Sequence, residues 1–305
     1  MDSFVRAYFE LAFKAAFIEK RADEFQDFFS SIMEKRHPQD FIRTRPWGSS
    51  GDRKNDGYLR SERTLFQVYG PSAVREAITV RKIEEDFLGA LPHWRQYFDK
   101  WVFVHNSHPK DGLSPGIVAK LLELGKQHSE IVVLPWGFEE LRQKSFELTE
   151  VNLASLLGAV PSRSDLQAVS FDELELVLRH IESNYVPLPD ETRAVPPGKI
   201  EANGLSEAVR TLLMAGMRAS HRVAEFIGKY HDPILGVRVA HAFRSQYQKL
   251  RDQSLLPDDI FSELQLFAGG RQPNPPQRQA AALTVLAYLF ETCDIFERPR
   301  EGVEA

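Results

Sequence analysis

Apolar residues change their spacing several times along the first 150 positions, and each change marks an element. From Ser3 to about Ile18, Val5, Phe9, Leu11, Ala12, Ala15 and Ala16 recur at helical spacing. A second helix begins near Asp23, carries Phe25, Phe28, Phe29, Ile32 and Met33 as a core stripe, and stops at Pro38. The run from Phe41 to Arg45 alternates as a strand does, and Thr64 to Tyr69 is a second β-type run. Between them lies a polar, glycine-flanked stretch, so a hairpin is expected with polar side chains at one end.

Gly70-Pro71 ends that strand, and Ser72 is an N-cap for a helix to about Leu88, with a short helix from Leu91 to Phe98. Trp101–His105 and Ile131–Leu134 are short apolar runs of the kind that form buried strands. A helix from Ser114-Pro115 to about Gln127 separates them, and another spans Phe138 to Phe146. This order implies a partly parallel sheet covered by helices. His105, beside Asn106 at a strand end, reads as a satisfied structural histidine rather than a pocket residue, and Trp136 as core rather than a base-stacking platform.

Beyond position 150 the pattern is helical. A small extension runs from Val151 to Tyr185, with Leu174, Val177, Leu178 and Ile181 on one face. Four prolines and two glycines between Val186 and Gly204 exclude a continuous helix or central strand and mark a linker. Helices follow over Ser206–Lys229, from Pro233 or Leu235 to Arg251, from Pro257, and over Gln277–Phe290, a compact bundle by their short connections. In the last of them and just after it, Leu283, Leu286, Tyr288, Leu289, Phe290, Ile295 and Phe296 exceed one stripe. That helix is either wholly buried or offers an apolar surface to a partner. The expected fold is α/β (α+β) with a mixed sheet in residues 1–150, a helical extension and Pro-rich linker in 151–204, and an all-α interaction domain in 205–305.

Composition narrows the function classes only a little. A 305-residue chain with 43% hydrophobic and 27% charged residues is ordinary globular protein, and a net charge of -5 does not advertise nucleic-acid binding. Local charge differs. From Lys35 to Arg63 there are eight basic residues against four acids, an excess that either attracts phosphates or is simply a solvated hairpin rim. The single cysteine, Cys293, excludes an internal disulfide and a multi-cysteine zinc site. The first residues lack the charge and apolar pattern of a signal peptide, and no run suits a membrane span. A cytoplasmic protein is expected.

The chemistry concentrates in Trp47–Pro71. Asp52 and Asp56, with Lys54 between them, sit on the turn, and Gln67 lies on the following strand. Carboxylate and amide oxygens at the mouth of a hairpin can hold a hard divalent cation, which orients water and stabilises a phosphodiester transition state. Gln67 and Tyr69 share one face by the period-2 rule. The alternative is that the aspartates are merely turn formers.

Asn55-Asp56-Gly57 followed by Gln67-Val68-Tyr69 resembles the core of the PD-(D/E)xK, restriction-endonuclease-like nucleases of the Mrr-like branch, over residues 20 to 146. The resemblance implies a metal-dependent endonuclease with Mg2+ or Mn2+ held by Asp56 and Gln67, the shell completed by Asp52 or Glu24. Tyr69 stands where that family carries lysine, and a tyrosine hydroxyl does not replace an ammonium charge at neutral pH. Lys54 or Lys82 is the expected substitute. The catalytic set is then Asp56, Gln67, Tyr69, Lys54 and Lys82, with Arg43, Arg45 and Arg53 on the nucleic-acid backbone, DNA favoured over RNA, and a homo-oligomer as the family's frequent state. On the helix where such nucleases carry a Phe-Glu pair, this chain has Phe25-Gln26. The other implied reading is a degenerate nuclease fold that binds nucleic acid or protein without cutting.

The C-terminal helices, with their ending Leu-Phe-Glu-x-Cys-Asp-Ile-Phe-Glu, resemble the C-terminal modules of effectors in bacterial ABC-ATPase three-component conflict systems, relatives of Lamassu, over about 205 to 299. That implies an anti-phage role and an ABC or SMC-like ATPase complex as protein partner.

Overall fold

A computed structural model describes residues 1–45, 53–183, 199, 203–269, 274–292 and 295–296. Asp52, Cys293 and nearly all of the Pro-rich linker lie outside the described residues. The chain divides into two compact units: Phe13–Leu157, and Met1–Ala12 with Gly158–Ala305. The first twelve residues and the stretch after Gly158 therefore fall with the C-terminal helices, whereas the sequence pattern suggested a division at 150. Local contacts account for this: Arg163 pairs with Asp2 at 2.9 Å and lies over the Phe4 ring, and the Tyr8 hydroxyl is 3.5 Å from the carbonyl of Gln279.

The Phe13–Leu157 unit is built on a five-stranded mixed sheet in the order β1 (Phe41–Arg43), β2 (Gly57–Leu59), β3 (Thr64–Tyr69), β4 (Lys100–His105), β5 (Val132–Trp136). The first three strands form an antiparallel meander, and β3, β4 and β5 are parallel. Parallel strands need crossovers, supplied by α3 (Glu76–Trp94) and α4 (Pro115–Gln127). Helices α1 (Ser3–Glu19), α2 (Ala22–Arg36) and α5 (Phe138–Phe146) complete the main helical cover, followed by α6 (Glu150–Leu157).

Strand alternation sorts the core into two layers. Phe66 and Val68 face Phe17, Phe25, Phe29 and Phe41, whereas Leu65 and Tyr69 face Ile83, Phe87, Trp101 and Phe103. Burying such a ring stabilises by about 2–3 kcal/mol relative to exposure, and the phenylalanine stripe of α2 does this as its spacing predicts. Gly57 is required by that packing: a Cβ there would lie 2.4 Å from Phe41 Cζ. Gly57→Ala is expected to cost about 1–3 kcal/mol, read as a lower urea midpoint at unchanged slope.

Two expectations are revised in this unit. β5 is a largely exposed edge strand, with Val132 at 52% and Leu134 at 38%, because among the described residues it pairs with β4 alone. α3 continues through Pro92 to Trp94; a proline in the final turn removes only one backbone hydrogen bond.

The other unit is helical among its described residues: α7 (Arg163–Gln167), α8 (Phe171–Glu182), α9 (Glu207–Met217), α10 (Ser220–Lys229), α11 (Leu235–Asp252), α12 (Pro257–Phe267) and α13 (Pro276–Thr292). The single helix expected over Ser206–Lys229 is two, broken where Ala219 N–H bonds back to Gly216 O and Arg222 N–H to Ala219 O. The apolar excess of α13 is resolved as burial, since Leu283, Val285, Leu286 and Leu289 are all at or below 1% exposure. Among the described residues no helix is long and apolar enough to cross a membrane.

Candidate metal and phosphodiester site

The hairpin β2–β3 brings Asp56 and Gln67 to the same end of one ladder. Gly57 pairs with Phe66, Asp56 immediately precedes the one and Gln67 immediately follows the other. Asp56 is buried, not a rim acid: its N–H bonds Phe66 O at 2.9 Å, and its Oδ2 accepts the Val68 N–H at 2.7 Å. Gln26 of α2 donates from Nε2 to Asp56 Oδ1 at 2.5 Å. The turn before it is tightly specified. Asn55 Oδ1 accepts the Gly57 N–H at 2.9 Å, and Arg53 and Lys54 both take positive φ, 52° and 61°, a conformation unusual for such residues and concentrated at functional sites.

Gln67 is buried, and among the described residues its Oε1 has no hydrogen-bond partner. A buried amide oxygen left unpaired costs about 1–3 kcal/mol, so this atom suits an external electropositive group. Tyr69 lies two residues on, partly buried, with its ring 6.1 Å from that of Phe103.

The two lysines meet on one acid. Asp86 of α3 is fully buried, and its Oδ1 lies 2.9 Å from Lys54 Nζ and 2.8 Å from Lys82 Nζ. The stem of Lys54 crosses α3 at Gly89, where a Cβ would approach Lys54 Cγ to 3.0 Å. Asp86 and Gln26 are the residues that sequence reasoning missed. Their signals were present: Gln26 follows Phe25 at the acid position of the nuclease resemblance, and Asp86 lies four residues after Lys82 between the core residues Ile83 and Phe87.

Other expected residues are placed elsewhere. Glu24 is exposed in the first turn of α2, where Gln26 rather than Glu24 reaches Asp56. Arg43 and Arg45 both pair with Asp27, and Arg53 is exposed. Much of the local basic excess is likewise engaged: Arg36 pairs with Glu147 and Arg63 with Asp99.

Among the described residues no three His, Cys, Asp or Glu side chains gather to hold a metal ion. A magnesium-like cation does not require that, since it is commonly held by one or two carboxylates with water and substrate phosphate supplying the rest. The donor set of Asp56 carboxylate and unpaired Gln67 amide oxygen fits such a lightly held ion.

The parallel strands end beside this hairpin in a cluster of buried polar groups. Asn106 Nδ2 donates to the carbonyls of Lys20 and Pro71, each at 3.3 Å, and the residue lines a cavity of about 390 Å3. His105 accepts the Ser107 N–H on Nδ1 at 3.2 Å, the satisfied structural histidine that was expected. Burial pushes its pKa down to about 4, with only weak opposition from Glu140. The unfolded chain therefore binds a proton below about pH 6.5 that the folded chain refuses until about pH 4. Stability falls as pH drops through that window, by about 2 kcal/mol between pH ~7 and ~5. Urea unfolding of His105→Gln should lack this contribution.

Comparison with known proteins bears on the other unit. Residues 172–297 match the family described as C-terminal domain 10 of the ABC-three component (ABC-3C) systems. No curated protein and no solved structure matches the chain.

Proposed function

We propose that the chain is an effector subunit of a multicomponent defence system of the ABC three-component kind, whose sheet-bearing unit hydrolyses nucleic-acid phosphodiester bonds with a divalent cation. The match over residues 172–297 supports membership in such a system. The observation that carries the nuclease reading is the buried Asp56 carboxylate at the same ladder end as the unpaired Gln67 Oε1.

Asp56 and Gln67 would hold the cation. When bound, Mg2+ or Mn2+ supplies Lewis-acid polarisation of the phosphate and a lowered pKa for attacking water. Gln26 and the Val68 N–H fix the Asp56 oxygens, so the carboxylate needs no reorganisation when substrate arrives. Lys54 and Lys82, both partly exposed on the buried Asp86, are the cations available to developing phosphate charge. Tyr69 contributes a hydroxyl but no charge. Plasmid DNA, single-stranded DNA and total RNA incubated with the purified protein and Mg2+ or Mn2+ test this directly. The reading requires cleavage of at least one, with DNA the expected substrate.

One observation favours a second reading. Both lysines are already drawn onto the one Asp86 carboxylate, and Tyr69 packs toward Phe103 where a lysine would project a charge. A chain with that arrangement binds nucleic acid or protein without cutting. Oligonucleotide binding with no cleavage under any cation would select it.

A further inference from the structure

The helical unit contains a cleft of about 300 Å3 with a basic lining. Arg163, Arg218, His221 and Arg222 line it together with the buried apolar residues Leu166 and Ala215, and no carboxylate lines it among the described residues. Two of the arginines are fixed in place: Arg163 by Asp2 at 2.9 Å, and Arg222 by donation to the Val169 carbonyl at 2.9 Å. Arg218 and His221 are exposed, with Glu225 near enough to His221 and Arg222 to feel their charge. Both lie within the segment that matches the three-component family.

An arginine takes a carboxylate through two parallel hydrogen bonds, and one whose rotamer is already held, as Arg222 is by the Val169 carbonyl, loses little entropy in doing so, whereas Arg163 is already engaged by Asp2. Apolar residues beneath such groups provide the desolvated pocket in which interface anchors seat. A nucleic-acid backbone is served differently, by charge spread along a groove with aromatic platforms for bases, and this cleft is compact and lined by small or aliphatic apolar groups. We propose that it receives an acidic segment of a protein partner, an Asp- or Glu-bearing stretch with an apolar side chain beside the acid. The proposal rests on the reading of the helical unit as the part that joins a multicomponent system.

The test is direct binding of the full chain to each other purified component of the system, for the wild type and for Arg218→Glu combined with His221→Glu. Both positions are exposed, so the variant should melt with the wild type. At least a tenfold loss of affinity is expected, with Arg218→Lys losing less, and added NaCl should weaken the wild type but hardly affect the variant. Unchanged affinity in the charge-reversed chain overturns the proposal. Wild-type protein that binds no component overturns the attachment reading itself. Loss of labelled DNA binding with protein binding intact assigns the cleft to nucleic acid and also overturns the proposal.

Discussion

Asp56→Asn is expected to reduce nucleic-acid cleavage by about 10²–10³-fold or more while leaving the fold in place. Asparagine keeps the shape and one oxygen to accept the Val68 N–H, which now meets Oδ2 at 2.7 Å. It removes the only charge among the proposed cation ligands, and loss of a single electrostatic group aimed at transition-state charge commonly costs this much. Asp56→Ala would be a poorer probe, because it strips the partner from both Gln26 and Val68 and mixes catalytic loss with instability. Gel-based rate measurement at saturating Mn2+, beside urea unfolding of the same samples, separates the two. Asp56→Asn protein that cuts at the wild-type rate removes Asp56 from the site.

The second large effect belongs to Asp86→Leu. Removing a fully buried carboxylate paired with two lysines takes that counter-charge from both, a class of change worth about 3–5 kcal/mol when the partners are buried. Here the Lys54 and Lys82 side chains are 39% and 34% exposed and can rehydrate. The expected cost is therefore about 2–3 kcal/mol. Adding Lys82→Met should recover part of it, with a coupling of about 1 kcal/mol or more in the double-mutant cycle. Strict additivity would show that Asp86 and Lys82 do not act together. In the nuclease reading, Asp86→Leu also lowers cleavage by letting both cations swing.

These two residues mark what the sequence did and did not disclose. The placement of Asp56 beside Gln67 was legible because it is local: Asn55 and Gly57 set the turn, and the β-type run from Thr64 returns the chain beside it. Asp86 was not, because burial of an acid within α3 depends on Lys54 arriving from a loop thirty-two residues earlier in the chain. Period gave the helices and the β3 strand, since a stripe such as Phe25, Phe28, Phe29 and Ile32 has only one way to be buried. Strand position within the sheet has no such local signal. Ile131–Leu134 is as apolar as a central strand, yet β5 is the edge. The arginines show the same limit. Arg43 and Arg45 read as phosphate contacts until Asp27 is found beside both. The C-terminal helices were read as a partner surface or a buried element, and packing decides for burial in α13.

Cation binding at the hairpin mouth is the claim on which the functional reading turns, and it can be measured without any substrate. Titration of the purified protein with Mn2+, followed by the loss of free-ion paramagnetic resonance signal, should show one saturable site in the wild type. That site should disappear in Asp56→Asn and weaken in Gln67→Leu. Equal binding by all three proteins, or none by the wild type, would contradict the assignment of Asp56 and Gln67 as a cation site.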